Sequence, residues 1–169
     1  MKTAASTAHD HHLRIKTLYL EELLRQEQNR RDRIRWCRYY ENDQFTADQR
    51  AKLAARGQSA VSYNAIKPVI DWLKGTERRG RIDFTVAPRR DDKQARESAQ
   101  AKQELMKWLD YTNQTGFERS LATDQAFITG LGWLEVAVRQ DKQGPKVIAV
   151  AEDWRNIVHD SRAINRDGD

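Results

Sequence analysis

Apolar residues are sparse over the first forty positions and then fall into short regular runs. Between Leu13 and Tyr40, the positions Leu13, Leu20, Leu23 or Leu24, Ile34 and Cys37 leave a thin apolar stripe among many charges. That spacing predicts one long helix over 13–40, about 40 Å at ~1.5 Å per residue. It is too polar for the centre of a core and suited to lie along another body or a neighbouring copy. The small polar residues 1–12 read as a flexible tail ahead of it.

The next runs are shorter and better punctuated. Thr46, with Gln49 three residues on, has the form of a capping box, and Gly57 stands where a helix C-terminus needs a left-handed residue. They frame a short helix, followed by a loop over 57–62. Asn64 caps the next helix, whose Ile66, Val69, Ile70 and Leu73 fall on a 3.6-residue period. Pro68 is tolerated there because the first helical turn has no intrahelical donor to lose. That helix ends near Gly80.

From Arg81 to Pro88 the pattern alternates strictly, predicting a strand with Ile82, Phe84 and Val86 on one face. Asp91 and Asp92 open a charged helix to about Tyr111, favourable to its dipole. Its apolar face is Ala95, Ala99, Leu105 or Met106, and Leu109. Asn113 to Gly116 break it, and a further helix over 117–129 stops at Gly130-Leu131-Gly132. Trp133–Val138 and Lys146–Ala151 are two strands, joined through a connection from Arg139 to Pro145 as a hairpin.

The expected core unites Ile66, Val69, Ile70, Leu73, Ile82, Phe84, Val86, Leu105, Leu109, Leu121 and Val136. The fold class is α+β, long helices packed on a small incomplete antiparallel sheet. A hairpin alone is marginal, and Arg166-Asp167-Gly168-Asp169 is a turn signal, so the sequence reads as cut inside a larger domain. The expected division is a tail over 1–12, a helical region over 13–60 and an α+β region over 61–169.

Composition narrows the function. With 169 residues, 38% hydrophobic and 33% charged, mean hydropathy is −0.90, yet five Trp, five Tyr and four Phe supply bulk that disordered chains lack. Net charge is +5, and residues 1–60 carry 12 Lys/Arg against 8 Asp/Glu while 61–169 carry 18 against 17. The basic excess thus sits in the first third, compatible with nucleic-acid proximity. The single Cys37 excludes an internal disulfide and a Cys-based zinc site. No run approaches the ~20 apolar residues that span a bilayer, and the first residues lack a signal-peptide core. The protein is expected to be made in the cytoplasm and to have no membrane partner.

Catalytic chemistry finds no support. His9, His11 and His12 sit in a tail with nothing to fix a metal geometry. Asp91 and Asp92 are explained by the helix they open, and Asp153, His159 and Asp160 lack a nucleophile or ligand spacing. Gly130-Leu131-Gly132 follows a helix and precedes a strand, the reverse of a phosphate-binding loop. No catalytic residue, metal ligand or cofactor is assigned.

The block Arg30, Arg31, Arg33, Arg35, Trp36, Arg38, Tyr39 and Tyr40 is the best binding candidate. Arginines can hold phosphates while rings stack on bases. The favoured alternative is a protein-interaction helix with the aromatics as anchors and the arginines as rim.

With these segments laid out, a family resemblance emerges. Asn64-Ala65-Ile66-Lys67-Pro68 opening a helix, Gly75-Thr76-Glu77-Arg78-Arg79-Gly80-Arg81 at a turn, and a strand ending at Pro88 resemble portal proteins of short-tailed double-stranded DNA phages. Asp124–Leu134, with its Gly-x-Gly turn, and Trp154–Arg162 ahead of an Asp-Gly-Asp turn are similar to later segments of that family. The likeness covers residues 57–169, and the departure is length: the clip, stem and crown of the family would follow. The resemblance implies an N-terminal and partial wing region of a dodecameric ring at one capsid vertex of the virion. Through that ring DNA is packaged and ejected. Implied partners are copies of itself, terminase, tail connector, capsid proteins and the passing duplex. Glu77, Arg78, Arg79 and Arg81 then form a possible inter-subunit ion-pair cluster, or a helix C-terminus favoured by cations. The rival reading is a small standalone nucleic-acid-binding regulator using helix 30–40.

Overall fold

The computed structural model describes residues 4–80, 84–142 and 144–162. In order they form α1 (Ala4–Arg25), α2 (Glu27–Tyr40), α3 (Ala47–Ala55), α4 (Ile66–Arg79), α5 (Lys93–Asn113), α6 (Thr115–Thr129), β1 (Trp133–Asp141) and β2 (Gly144–Glu152). The class is α+β, with one two-stranded antiparallel sheet. Its register runs from Trp133 opposite Glu152 to Asp141 opposite Gly144, so the strands reach further into the connection than their apolar runs suggest.

α6 is the hub, lying against α2, α4, α5 and both strands. Its buried positions are small: Ser120, Ala122 and Thr129. Small side chains let neighbouring backbones approach closely, which large ones on the same face would prevent. Gly132 shows how close, since a Cβ there would lie 2.0 Å from the Ala122 carbonyl oxygen. Gly130, at φ +78°, supplies the left-handed residue that ends α6. The Gly130-Leu131-Gly132 turn is thus a packing device.

Several expectations hold because they rest on local chemistry. Thr46 and Gln49 form a reciprocal capping box. Gly57, at φ +68°, ends α3: its N–H reaches the Ala54 carbonyl and the Gln58 N–H the Leu53 carbonyl, both at 2.9 Å. Asp91 and Asp92, expected in the first turn of α5, stand just ahead of it instead: Asp92 is its N-cap, accepting from the Ala95 N–H at 2.7 Å.

Others are corrected. From Ala4 onward the residues expected as a tail are the first turns of α1. The single helix over 13–40 is two, α1 and α2, meeting at Gln26. The ladder continues through the joint, with Gln26 N–H to Glu22 carbonyl at 2.9 Å and Arg30 N–H to Gln26 carbonyl at 2.8 Å. The break between α5 and α6 is one residue, Gln114 at φ +50°, and Gly116 lies inside α6. Of the strand expected over 81–88, Arg81, Ile82 and Asp83 lie outside the described residues. Among the described residues, Phe84 to Pro88 pair with no strand. Gln103 of α5 takes the place of a partner: its amide donates to the Phe84 carbonyl at 2.9 Å and accepts from the Val86 N–H at 2.6 Å.

The expected core is also revised. Ile66, Val69, Leu105 and Val136 are exposed, Val136 by 68%, while Ala99, Ala122, Ala149 and Trp154 are buried, Trp154 to 3% exposure. Helical periodicity locates a face but not its neighbour, and α6 offers small residues where large apolar ones were expected.

Candidate functional site

The most connected polar site joins the α1–α2 junction to the segment that follows β2. Glu22, Gln26 and Arg30 recur every four residues, on one helix face. Glu22 and Gln26 are buried. Gln26 Nε2 donates to the His159 carbonyl at 2.6 Å, and Arg30 to the carbonyls of Ile157 and Arg155. The Ser161 N–H donates to Glu22 Oε2 at 3.2 Å, with Arg25 Nη1 2.7 Å from the other carboxylate oxygen. Hydrogen bonds from Ser161 hold the Glu22 carboxyl below its usual pKa. One helix stripe therefore grips the backbone of 155–161 and orients it.

Trp154 seals the site. Its backbone N–H donates to Gln125 Oε1 at 3.2 Å, and the guanidinium carbons of Arg155, Arg30 and Arg33 lie 5.0, 5.6 and 5.8 Å from its ring. Such cation–π contacts favour a desolvated indole over an alkyl side chain of equal size. The rings of Trp133 and His159 lie 5.6 Å apart, tilted by 43° to each other.

A second joint links α2 to α4. The Asn64 Oδ1 accepts from the N–H groups of Ile66 and Lys67 at 3.0 and 3.1 Å, capping α4. Its Nδ2 donates to the Tyr40 carbonyl at 2.9 Å and the Tyr39 carbonyl at 3.3 Å, satisfying the end of α2. The Tyr40 hydroxyl donates to Asp71 and accepts from Lys74, and the ammoniums of Lys74 and Lys67 sit 4.4 and 4.6 Å from its ring. Trp36, Tyr39 and Tyr40 line an apolar cavity of about 180 Å³ with Ile66, Ile70 and Phe127.

The arginines of the 30–40 block have partners in the same chain. Arg31 pairs with Glu27, Arg35 with Asp32 at 3.6 Å and Arg38 with Asp43 at 2.7 Å. The Arg38 guanidinium holds the Asp43 carboxyl below its usual range. Arg30 and Arg33 lie over Trp154. Burial pushes the Cys37 thiol up, away from the reactive thiolate.

At the end of α4, Glu77 Oε2 accepts from the Ser120 hydroxyl at 2.8 Å and lies 3.7 Å from Arg119 through its other oxygen. Arg78 pairs with Asp124 at 2.7 Å. These ties fix α4 on α6. Arg79 is exposed, and Arg81 lies outside the described residues.

Other acidic candidates are occupied structurally: Asp91 pairs with Arg96, and Asp153 with Arg155 at 2.9 Å. Among the described residues no group of three or more His, Cys, Asp or Glu is placed to hold a metal ion. No described helix is long and apolar enough to cross a membrane. The sequence reading missed Glu22, Gln26, Gln103 and Trp154. The signal for the first two was a polar 22–26–30 stripe on a helix otherwise read by its leucines.

Among the described residues, the arrangement ties backbone segments of different elements to one another. In a comparison with protein families, the model described as phage P22-like portal protein matches residues 16–169. No curated protein matches the chain.

Proposed function

Because the chain belongs to the phage P22-like portal protein family, we propose that it is the N-terminal and wing part of a structural subunit whose copies close into a ring. Through that ring double-stranded DNA is packaged and later ejected. The family match over 16–169 carries this reading. It is supported by where the family-like motifs fall: Asn64 ties α2 to α4, Glu77 and Arg78 tie α4 to α6, and Gly132 allows β1 to leave α6. Each is a joint between two elements of the fold.

On this reading the protein is made in the host bacterial cytoplasm and ends at the portal vertex of the virion. Its partners are its own copies, terminase, the tail connector, capsid proteins and the passing duplex. The ATP-driven step belongs to the terminase motor. The 30–40 block serves as a protein contact, with Trp36 as the exposed anchor and Arg31 and Arg35 on the rim. Intrachain partners for its arginines favour that over duplex binding. Arg79 is the member of the charged turn that a carboxylate of a neighbouring copy would meet.

Gold-labelled antibody against the chain on purified particles tests the proposal. Label at a single vertex is expected; particles without label, or label over every vertex, would contradict it.

A further inference from the structure

A helix on the surface of a globular fold is ordinarily held by an apolar stripe. α1 is held differently. Of residues 9–25, Glu22 is the one buried side chain and Leu23 is half-buried, while the others are exposed. The apolar side chains nearest the body, Ile15, Leu18 and Tyr19, remain 66%, 40% and 49% exposed. They line a cavity of about 260 Å³ together with Val158, His159 and Arg162. The Glu22 carboxylate, 5% exposed, makes the close contact across to that segment. Its Oε2 accepts from the Ser161 N–H at 3.2 Å, and Arg162 Nε lies 3.9 Å from its Oε1. Among the described elements α1 touches only α2.

The joint between those two helices has the features of a hinge. Gln26 has ψ −2°, against about −42° in a regular helix, so the chain turns there. Its backbone N–H and carbonyl nevertheless keep their helical partners, Glu22 and Arg30. The side chain is 3% exposed, and its Nε2 is bound to the His159 carbonyl. Its Oε1, also buried, has no hydrogen-bond partner among the described residues. A buried acceptor left unpaired destabilises the closed joint, and opening returns it to water.

We infer that α1 is a detachable arm, clasped to residues 158–162 by the Glu22 carboxylate and released by opening about Gln26 while the rest of the fold stays intact. The clasp is a charge-assisted contact, stronger than a neutral hydrogen bond. Against it stand the unpaired Gln26 oxygen and the void beside Ile15, Leu18 and Tyr19, which forfeits dispersion contacts. Release uncovers little apolar surface, because those side chains are already exposed. Arg25, on the same helix, pairs with the carboxylate at 2.7 Å and stays beside it when the arm leaves. A free helix of this length, 22 residues and largely polar, is marginal in water, so release also loosens its own hydrogen bonds. Openings of this kind form the low end of the stability range within one fold. The inference concerns how one chain holds its own first helix and stands apart from the ring reading.

Hydrogen exchange of the 169-residue chain at neutral pH, followed by mass spectrometry, tests it. Peptides from α1 are expected to exchange as one group and faster than those from α6. Glu22→Ala should speed exchange in α1 and in 158–162 about tenfold or more, the loss of a hydrogen bond to a charged group. Exchange in α6 should not change, which also verifies that the body is folded. Leu23→Ala separates the clasp from ordinary apolar packing and is expected to move α1 less. An α1 that exchanges as slowly as α6, or one that Glu22→Ala leaves unmoved, would overturn the inference. So would acceleration that spreads to α6, or a Leu23→Ala effect equal to that of Glu22→Ala.

Discussion

Trp154 is the most buried large apolar side chain among the described residues, and nothing in its surroundings along the chain announces that. Its ring is reached by Arg30 and Arg33 from more than a hundred positions away. Periodicity reads a helix face; it does not see a single indole in a turn after β2 that packs in as deeply as Trp154 does. Trp154→Ala is expected to cost about 3–5 kcal/mol in urea denaturation. Val69→Ala, at an exposed position expected from periodicity to be core, should stay within about 0.5 kcal/mol. Equal costs would restore the periodic core. Glu22 gives the residue scale a pH signature. Its folded carboxyl titrates below the ordinary 4.5, so the unfolded chain takes up the proton first as pH falls. The stabilisation is complete above about that value and is lost as pH drops through the lower folded value. Glu22→Gln should flatten the acid limb of stability against pH; an unchanged limb would show that the Ser161 contact contributes nothing.

Among the elements, those with a chemical stop at each end were legible. The capping box at Thr46, the glycine at 57 and Asp92 at the start of α5 act within a few residues, so the sequence carries them whole. The segment over 84–88, which pairs with no strand among the described residues, was not legible, because it depends on a distant partner, Gln103. The role of Gln26 was hidden for the same reason: its side chain reaches the His159 carbonyl, far along the chain. Asn64 lies between the two cases: its cap on α4 was readable, but its grip on the end of α2 was not. Asn64→Ala should cost about 1–2 kcal/mol. Asn64→Asp, which keeps the acceptor and loses the donor to the Tyr40 carbonyl, should recover part of that. Full recovery by Asp, measured in the same urea titrations, would mean that the α2–α4 tie is idle.

For the molecule as a whole, the α+β class and the family were both legible, the class from alternating and helical periods and the family from motifs in order. The binding block at 30–40 was legible only as composition. Its arginines look available in sequence and are taken by Glu27, Asp32, Asp43 and Trp154 in the fold. ATPase and nuclease assays with magnesium, manganese or zinc are accordingly expected to stay at background. Duplex binding by the isolated chain should be weak. Tight binding that falls steeply with salt would revive the regulator reading.

The central claim, a subunit that closes into a ring, is tested most directly by weighing the full-length subunit in solution by native mass spectrometry. A single closed oligomer of fixed stoichiometry, stable on dilution, is the expected result. A monomer at all concentrations, or a ladder of open chains without a closed species, would contradict it.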